Sequence, residues 1–172
     1  MKQTKKLQLW ESIFETYYDA YYVEIYSAEV LDRWQKIDFI SKVLIAITAS
    51  SSVVSGWALW DAGVYRTLWF TLSGIGAVLT VLSPILGTGQ NIKAWSEVRS
   101  YFASLRIDLD TMRQQIRIER GFASRRYTDA YLQFRKRYAE GMQRVPNQTL
   151  TLGGLAVAVQ QQLNRMIQDQ IA

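Results

Sequence analysis

Two apolar runs without a charged residue, 43–60 and 67–92, follow each other almost directly in the first half of the chain. Only the connector from Asp61 to Arg66 separates them. An apolar helix needs about 20 residues to cross the hydrocarbon core of a bilayer. Two core helices of a water-soluble bundle are the alternative, but such helices normally keep charges along their outer face. The two runs therefore predict a transmembrane helical hairpin.

The residues that flank the runs favour the membrane interpretation and give an orientation. Aromatic rings, which prefer the headgroup layer, stand near both ends of the runs: Trp34, Trp57, Trp60, Tyr65, Trp69 and Trp95. Of the 20 Lys and Arg residues, only Arg66 lies in the connector. The opposite ends are flanked by Arg33, Lys36, Lys42, Lys93 and Arg99. The positive-inside rule then places both termini in the cytoplasm.

Helical periodicity outside the runs, with only two prolines in the chain, predicts an all-α protein. We expect an N-terminal cytoplasmic helix over 1–38, a two-helix transmembrane hairpin over 39–92, and a C-terminal cytoplasmic helical bundle or coiled coil over 93–172. The first helix should continue into the first crossing. The second crossing should likewise extend into the cytoplasm as one helix.

Apolar residues alternate in steps of three and four along two of these segments, which is the spacing of a packed helical seam. In the N-terminal helix they are Leu7, Trp10, Phe14, Tyr17, Tyr21, Ala28 and Leu31, interrupted only by Glu24. After the second run they form what we call the cytoplasmic seam: Trp95, Val98, Phe102, Leu105, Leu109, Met112 and Ile116.

The remaining segments predict further helices of the bundle. Gly121 interrupts the long helix, and the next helix carries Tyr127, Tyr131, Phe134 and Tyr138 on one face. Breaking residues then follow at Gly141, Pro146 and Asn147. The last amphipathic segment carries Leu155, Val159, Leu163, Met166 and Ile167.

Small and weakly polar residues recur within the two apolar runs, and we call them the membrane stripe. They are Thr48, Ser52, Ser55, Ser73, Gly76, Thr80, Ser83 and Gly87. Small residues at such spacing let helices approach closely and hydroxyls bond across the interface. The stripe is therefore interpreted as a packing face, and in an oligomer the same face would serve as the lining of a pore.

The composition excludes most catalytic chemistry. Histidine and cysteine are both absent, which removes the commonest general base and the commonest metal ligands. Asp108 and Asp110 diverge on a helix and make a poor carboxylate pair. We expect no enzymatic activity, cofactor or metal. The tyrosines from Tyr17 to Tyr26 are interpreted as packing residues in preference to a ligand-stacking surface.

A net charge of +5 raises the question of nucleic acid as a partner. The basic clusters Arg125-Arg126 and Arg135-Lys136-Arg137 carry part of this charge. In a protein held at an anionic leaflet, such clusters more simply indicate headgroup contacts or a solvated face of the bundle. The expected partners are therefore the lipid bilayer and further copies of the chain, and nucleic acid is not among them.

The whole layout resembles a known family. A long N-terminal helix ending in Trp34-Gln35-Lys36 precedes a short two-span hairpin, and the cytoplasmic run from Ile92 to Leu105 follows it. Over roughly residues 17–138 this arrangement is similar to the SLATT group of bacterial two-transmembrane effectors. The family has no motif of catalytic residues to carry over.

The resemblance implies a role in antiphage conflict systems. It implies a multi-pass protein of the bacterial inner membrane that oligomerises and permeabilises or depolarises that membrane when a cytoplasmic sensor or trigger reports infection. The alternative is a non-conducting membrane scaffold or sensor that recruits a cytoplasmic partner through its helical bundle. The absence of an ionisable residue within either run argues against an ion-selective filter.

Overall fold

The structure, a computed structural model, describes residues 2–54, 71, 74–78, 80, 81, 87–119, 124–146 and 154–171. Helix α1 spans Lys2–Val54, α2 Thr88–Ile118, α3 Ser124–Gln143 and α4 Leu155–Ile171. Residues 74–78, 80 and 81 are helical as well, and none of the described residues lies in a strand. The predicted all-α class is thereby confirmed, and α1 continues past Val43 as expected.

No helix within these described ranges has an 18-residue stretch apolar enough to cross a bilayer. The connector 61–66, the end of the first apolar run and much of the second lie outside the described residues.

The chain divides into two compact units. The first, which we call the helical body, comprises Met1–Leu31 and Lys93–Ala172, and the second unit comprises Asp32–Ile92. The helical body thus combines most of the predicted N-terminal helix with the whole predicted C-terminal bundle. Its second segment begins at Lys93, which is the first charged residue after the apolar run 67–92.

The core of the helical body is built around the cytoplasmic seam of α2. Every residue of the seam is buried, and four of them, Trp95, Phe102, Leu105 and Leu109, expose no surface at all. From α1, Ile13, Tyr17, Ala20 and Val23 join this cluster, and Tyr127 joins it from α3. The alternation of steps of three and four keeps one face of α2 against its neighbours for its full length.

The buried face of α1 lies one position away from the face that its aromatic residues predict. The residues that are buried in steps of three and four are Ile13, Thr16, Ala20, Val23, Ser27, Val30 and Trp34. Leu7 and Trp10, both expected in the buried stripe, are exposed. Tyr17 and Leu31 of the predicted stripe are buried as well. Small side chains such as Ala20 and Ser27 leave room for the bulky α2 seam, and the rings of Phe14, Tyr21 and Tyr22 are only partly buried beside it.

Helix α2 begins at Thr88 and does not run through Gly87, although the pattern predicts a continuous helix across this residue. Gly87 has a φ of 55°, in the left-handed region that glycine adopts without a steric cost. The next residue, Thr88, begins α2, and the Asn91 amide donates a hydrogen bond to the Gly87 carbonyl at 3.0 Å.

Helix α3 ends within the break predicted at Gly141, Pro146 and Asn147, although Gly141 itself is still a buried residue of the helix. The helix ends two residues later, and the Arg144 amide closes it by donating to the Gly141 carbonyl at 3.0 Å. Pro146 follows in non-helical backbone. Gly121 and Asn147, the other predicted breaks, lie outside the described residues.

Helix α4 completes the helical body. Leu155, Val159 and Leu163 are buried, and Met166 and Ile167 are half-buried. These are the residues that the amphipathic pattern places on one face.

Candidate functional site

The membrane stripe is only partly covered by the structure. Gly76 is buried, whereas its neighbours Ile75 and Ala77 are exposed. Thr80 is exposed, and its hydroxyl donates to the Gly76 carbonyl at 2.8 Å. Gly87 lies in the turn before α2. Thr48 and Ser52 belong to α1, but their side chains are not among the described groups. Ser55, Ser73 and Ser83 lie outside the described residues.

Large apolar side chains in the second unit point outward. Phe39 is 68% exposed and Val81 63%. The others with large exposed fractions are Ile40, Val43, Ile47, Ile75 and Val78. Apart from Trp34, the buried residues described in this unit are small or hydroxyl-bearing, namely Ser41, Gly76 and Thr88. This arrangement of apolar outside and small or polar inside reverses the usual pattern of a protein in water.

Asp38 joins α1 to the start of α2 within the second unit. Its carboxylate accepts a hydrogen bond from the Thr88 hydroxyl at 3.1 Å and pairs with Lys42 at 2.6 Å. The hydrogen bond from Lys42, more than that from Thr88, holds the pKa of Asp38 below its ordinary value. The sequence pattern did not single out Asp38, because its partner Thr88 lies 50 positions away.

Arginines of α2 lie against the aromatic flank of α1. Arg106 pairs with Glu24 at 2.6 Å, and its guanidinium carbon lies 4.7 Å from the centroid of the Tyr21 ring. Burial would lower the pKa of Arg106, but the hydrogen bond and charge of Glu24 outweigh it and raise that pKa. Glu24, which interrupts the predicted stripe of α1, therefore lies at a flank where it has a partner.

Hydroxyl and guanidinium groups attach α3 to its two neighbours. The Tyr101 hydroxyl donates to the Arg137 carbonyl at 2.7 Å, and Arg137 pairs with Asp108 at 2.7 Å. The hydrogen bond with Asp108 raises the pKa of Arg137. On the other side, the Tyr131 hydroxyl donates to the Ser12 carbonyl of α1 at 3.0 Å. These contacts fix α3 against both α1 and α2.

Tyrosines of α1 hold α4 in place. The Tyr18 hydroxyl donates to Asn164 at 2.6 Å, and the Tyr21 hydroxyl donates to the sulfur of Met166 at 3.2 Å. Tyr22 and Tyr26 stack with their ring centroids 6.1 Å apart. Tyr18 and Tyr21 thus have the geometry of packing residues whose hydroxyl groups reach a neighbouring helix.

Two of the tryptophans that the sequence places near the ends of the apolar runs, Trp34 and Trp95, are buried against other protein groups. Trp34 exposes 6% of its surface and Trp95 none. Their indole N–H groups, together with Nη1 of Arg33, are buried without a hydrogen-bond partner. Trp95 packs edge-on against Tyr26 with centroids 6.1 Å apart. Its ring is thus a core residue of the helical body.

Most residues of the two basic clusters are exposed to solvent, and one contacts the bundle. Arg125, Arg126, Arg135 and Lys136 are exposed, and only Arg137 is drawn into the contact with α2. In the part of the chain that the structure describes, no group of three or more acidic residues could hold a metal ion.

Comparison with known proteins gives no relative: no protein-family model matches the chain, and neither a curated protein nor a solved structure matches it significantly.

Proposed function

We propose that this protein is a bacterial inner-membrane effector that oligomerises and permeabilises or depolarises the membrane in antiphage defence. The outward-facing apolar side chains of the second unit carry this proposal. Phe39, Ile40, Val43 and Ile47 on α1 are exposed, as are Ile75, Val78 and Val81. Full burial of such a side chain supplies about 1.5–3 kcal/mol, and in water each partly exposed side chain here would forgo a share of that free energy in proportion to its exposed area. Lipid removes that penalty, because acyl chains are as apolar as these side chains.

The buried residues of the same unit support close approach of helices. Gly76 is buried between exposed neighbours, as expected where another backbone comes near. In the resting oligomer the helical bodies would hold these helices in a closed packing. A trigger that favours a second packing by a few kcal/mol would shift the population to an open state.

The first prediction concerns topology. Both termini should lie in the cytoplasm, with 61–66 as the exposed outer loop, because the basic residues are concentrated on the other side of the runs. A cysteine introduced by Ala62→Cys should react with a membrane-impermeant maleimide in intact cells. One introduced by Gln115→Cys, on the exposed surface of α2, should react only after lysis. Equal labelling of both in intact cells would exclude the membrane topology.

The second prediction concerns conduction. Induced overexpression should raise the number of open oligomers enough to depolarise the inner membrane without the trigger, as reported by a membrane-potential dye. Gly76→Leu should abolish the response, because a leucine at this buried position disrupts the helix packing on which the oligomer depends. Ala77→Leu is the matched control, since Ala77 is the adjacent residue and is exposed. It should leave the response unchanged. A protein that inserts with the expected topology but never depolarises cells would be the non-conducting scaffold, and the permeabilising function would be rejected.

A further inference from the structure

A groove lies within the helical body, between the first turns of α1 and the last turns of α2. One part, of about 290 Å³, is lined by Trp10, Arg113, Gln114 and Arg117. The adjoining part, of about 280 Å³, is lined by Lys6, Leu7, Trp10, Ile116 and Arg117. The two parts share Trp10 and Arg117, and together we call them the end groove. Apart from Ile116, which belongs to the cytoplasmic seam, these residues are used neither by the packing of the seam nor by the proposed membrane function.

Among the described residues that line the end groove, the ionisable ones are all basic, namely Lys6, Arg113 and Arg117. Arg113 is fixed in place, because it pairs with Asp110 at 3.3 Å and lies over the Tyr17 ring, 4.9 Å from its centroid. Arg117 is exposed. Positive charge focused in a concave surface attracts anions, and a guanidinium offers paired donors to an anionic group.

Trp10 supplies a flat apolar wall to the same groove. It is 39% exposed, and it stacks on Phe14 with an interplanar angle of 8° and centroids 5.6 Å apart. This stacking holds the indole in one orientation, and Leu7 extends the apolar surface beside it. The groove therefore has room for a ligand whose aromatic ring stacks on Trp10 and whose anionic group contacts the arginines.

We propose that the end groove binds a small anionic aromatic ligand, in which a ring lies on Trp10 and a carboxylate, sulfate or phosphate group contacts Arg113 and Arg117. Each part of the groove has a volume, about 290 and about 280 Å³, close to the lower limit of about 300 Å³ for ordinary small-molecule sites. A second copy of the chain docked through the same groove would place like charges opposite each other, which disfavours that occupant. This proposal does not depend on the membrane function.

Naphthalene-1-sulfonate is a suitable probe, because it carries a ring and a permanent anion. Its binding to the full chain in zwitterionic detergent can be measured by isothermal titration calorimetry, with protein-free micelles as the blank. Naphthalene-1-sulfonamide is the neutral isostere, and methanesulfonate is the anion without a ring. The sulfonate should bind at least tenfold more tightly than either, since both the ring and the charge contribute.

Variants of the groove test the placement of the ligand. Arg117→Met should weaken binding of the sulfonate about tenfold, the cost of losing one charge-assisted contact, and Arg117→Lys should restore part of the affinity. Trp10→Ala should weaken the sulfonate and the sulfonamide alike, whereas Trp10→Phe keeps a ring. Arg165→Met, at an exposed arginine on α4, is the matched control and should bind as the parent does.

The proposal would be overturned if the sulfonate bound no better than the sulfonamide, or if Arg117→Met and Arg165→Met bound it equally. Binding of an acidic peptide that Arg117→Met abolishes, without any binding of the sulfonate, would also overturn it in favour of a protein-docking surface. Circular dichroism of each variant separates loss of the groove from loss of the fold.

Discussion

Replacement of both Leu105 and Leu109 by Asp should unfold the helical body. Both side chains expose no surface and lie in the middle of the cytoplasmic seam. A carboxylate placed there has no partner, and burying an unpaired charge costs several kcal/mol or forces the group to remain protonated. Two such sites would cancel most of the free energy of unfolding, which is roughly 5–15 kcal/mol for a typical domain. Chemical denaturation followed by circular dichroism should show loss of the cooperative transition.

Ile107→Asp is the matched control for this double variant. Ile107 lies on the same helix between the two leucines, but 56% of its surface is exposed. The substitution introduces the same group at nearly the same place in the sequence, and it should change stability by only about 0.5 kcal/mol. If the double variant unfolded in the same denaturant range as Ile107→Asp, Leu105 and Leu109 could not be supporting the fold.

The contrast between α1 and α2 shows which packing faces can be predicted from sequence. In α2 every residue of the predicted apolar seam is buried, because α2 supplies the large side chains of the core. In α1 the core-facing positions include Thr16 and Ser27, which no apolar pattern would select. Each hydroxyl donates to a carbonyl one turn earlier, Thr16 to Ser12 at 3.0 Å and Ser27 to Val23 at 2.6 Å. These bonds let polar residues be buried.

The residues of the second unit show a different limit on what can be predicted from sequence. Spacing alone placed Gly87 with Gly76 and Thr80 in one helical stripe, but Gly87 has positive φ and begins a turn. A glycine that is there for its backbone conformation and a glycine that is there for its small size look the same in a sequence. The contact between Asp38 and Thr88 was also hidden, because it depends on how the chain turns near Gly87.

Gly141 should tolerate substitution poorly. A Cβ atom at this position would lie 2.6 Å from Cε1 of Tyr101 and 2.9 Å from Cζ of Phe102. Neither ring can move aside easily. The Tyr101 hydroxyl donates to the Arg137 carbonyl at 2.7 Å, and Phe102 is fully buried, edge-on to Tyr138 at 5.7 Å.

Gly141→Val should therefore force α3 away from α2 and lower the free energy of unfolding by about 3 kcal/mol, at the upper end of the usual cost of overpacking. Gly141→Ala should have a smaller effect of the same sign. Gly89→Ala is the control, because a Cβ at Gly89 of α2 meets nothing within 4 Å and alanine favours helix by up to about 1 kcal/mol. In denaturant titrations the free energy of unfolding should fall for Gly141→Ala and rise for Gly89→Ala, each relative to the parent protein. A Gly141→Ala protein as stable as Gly89→Ala would mean that α3 does not pack this closely on α2.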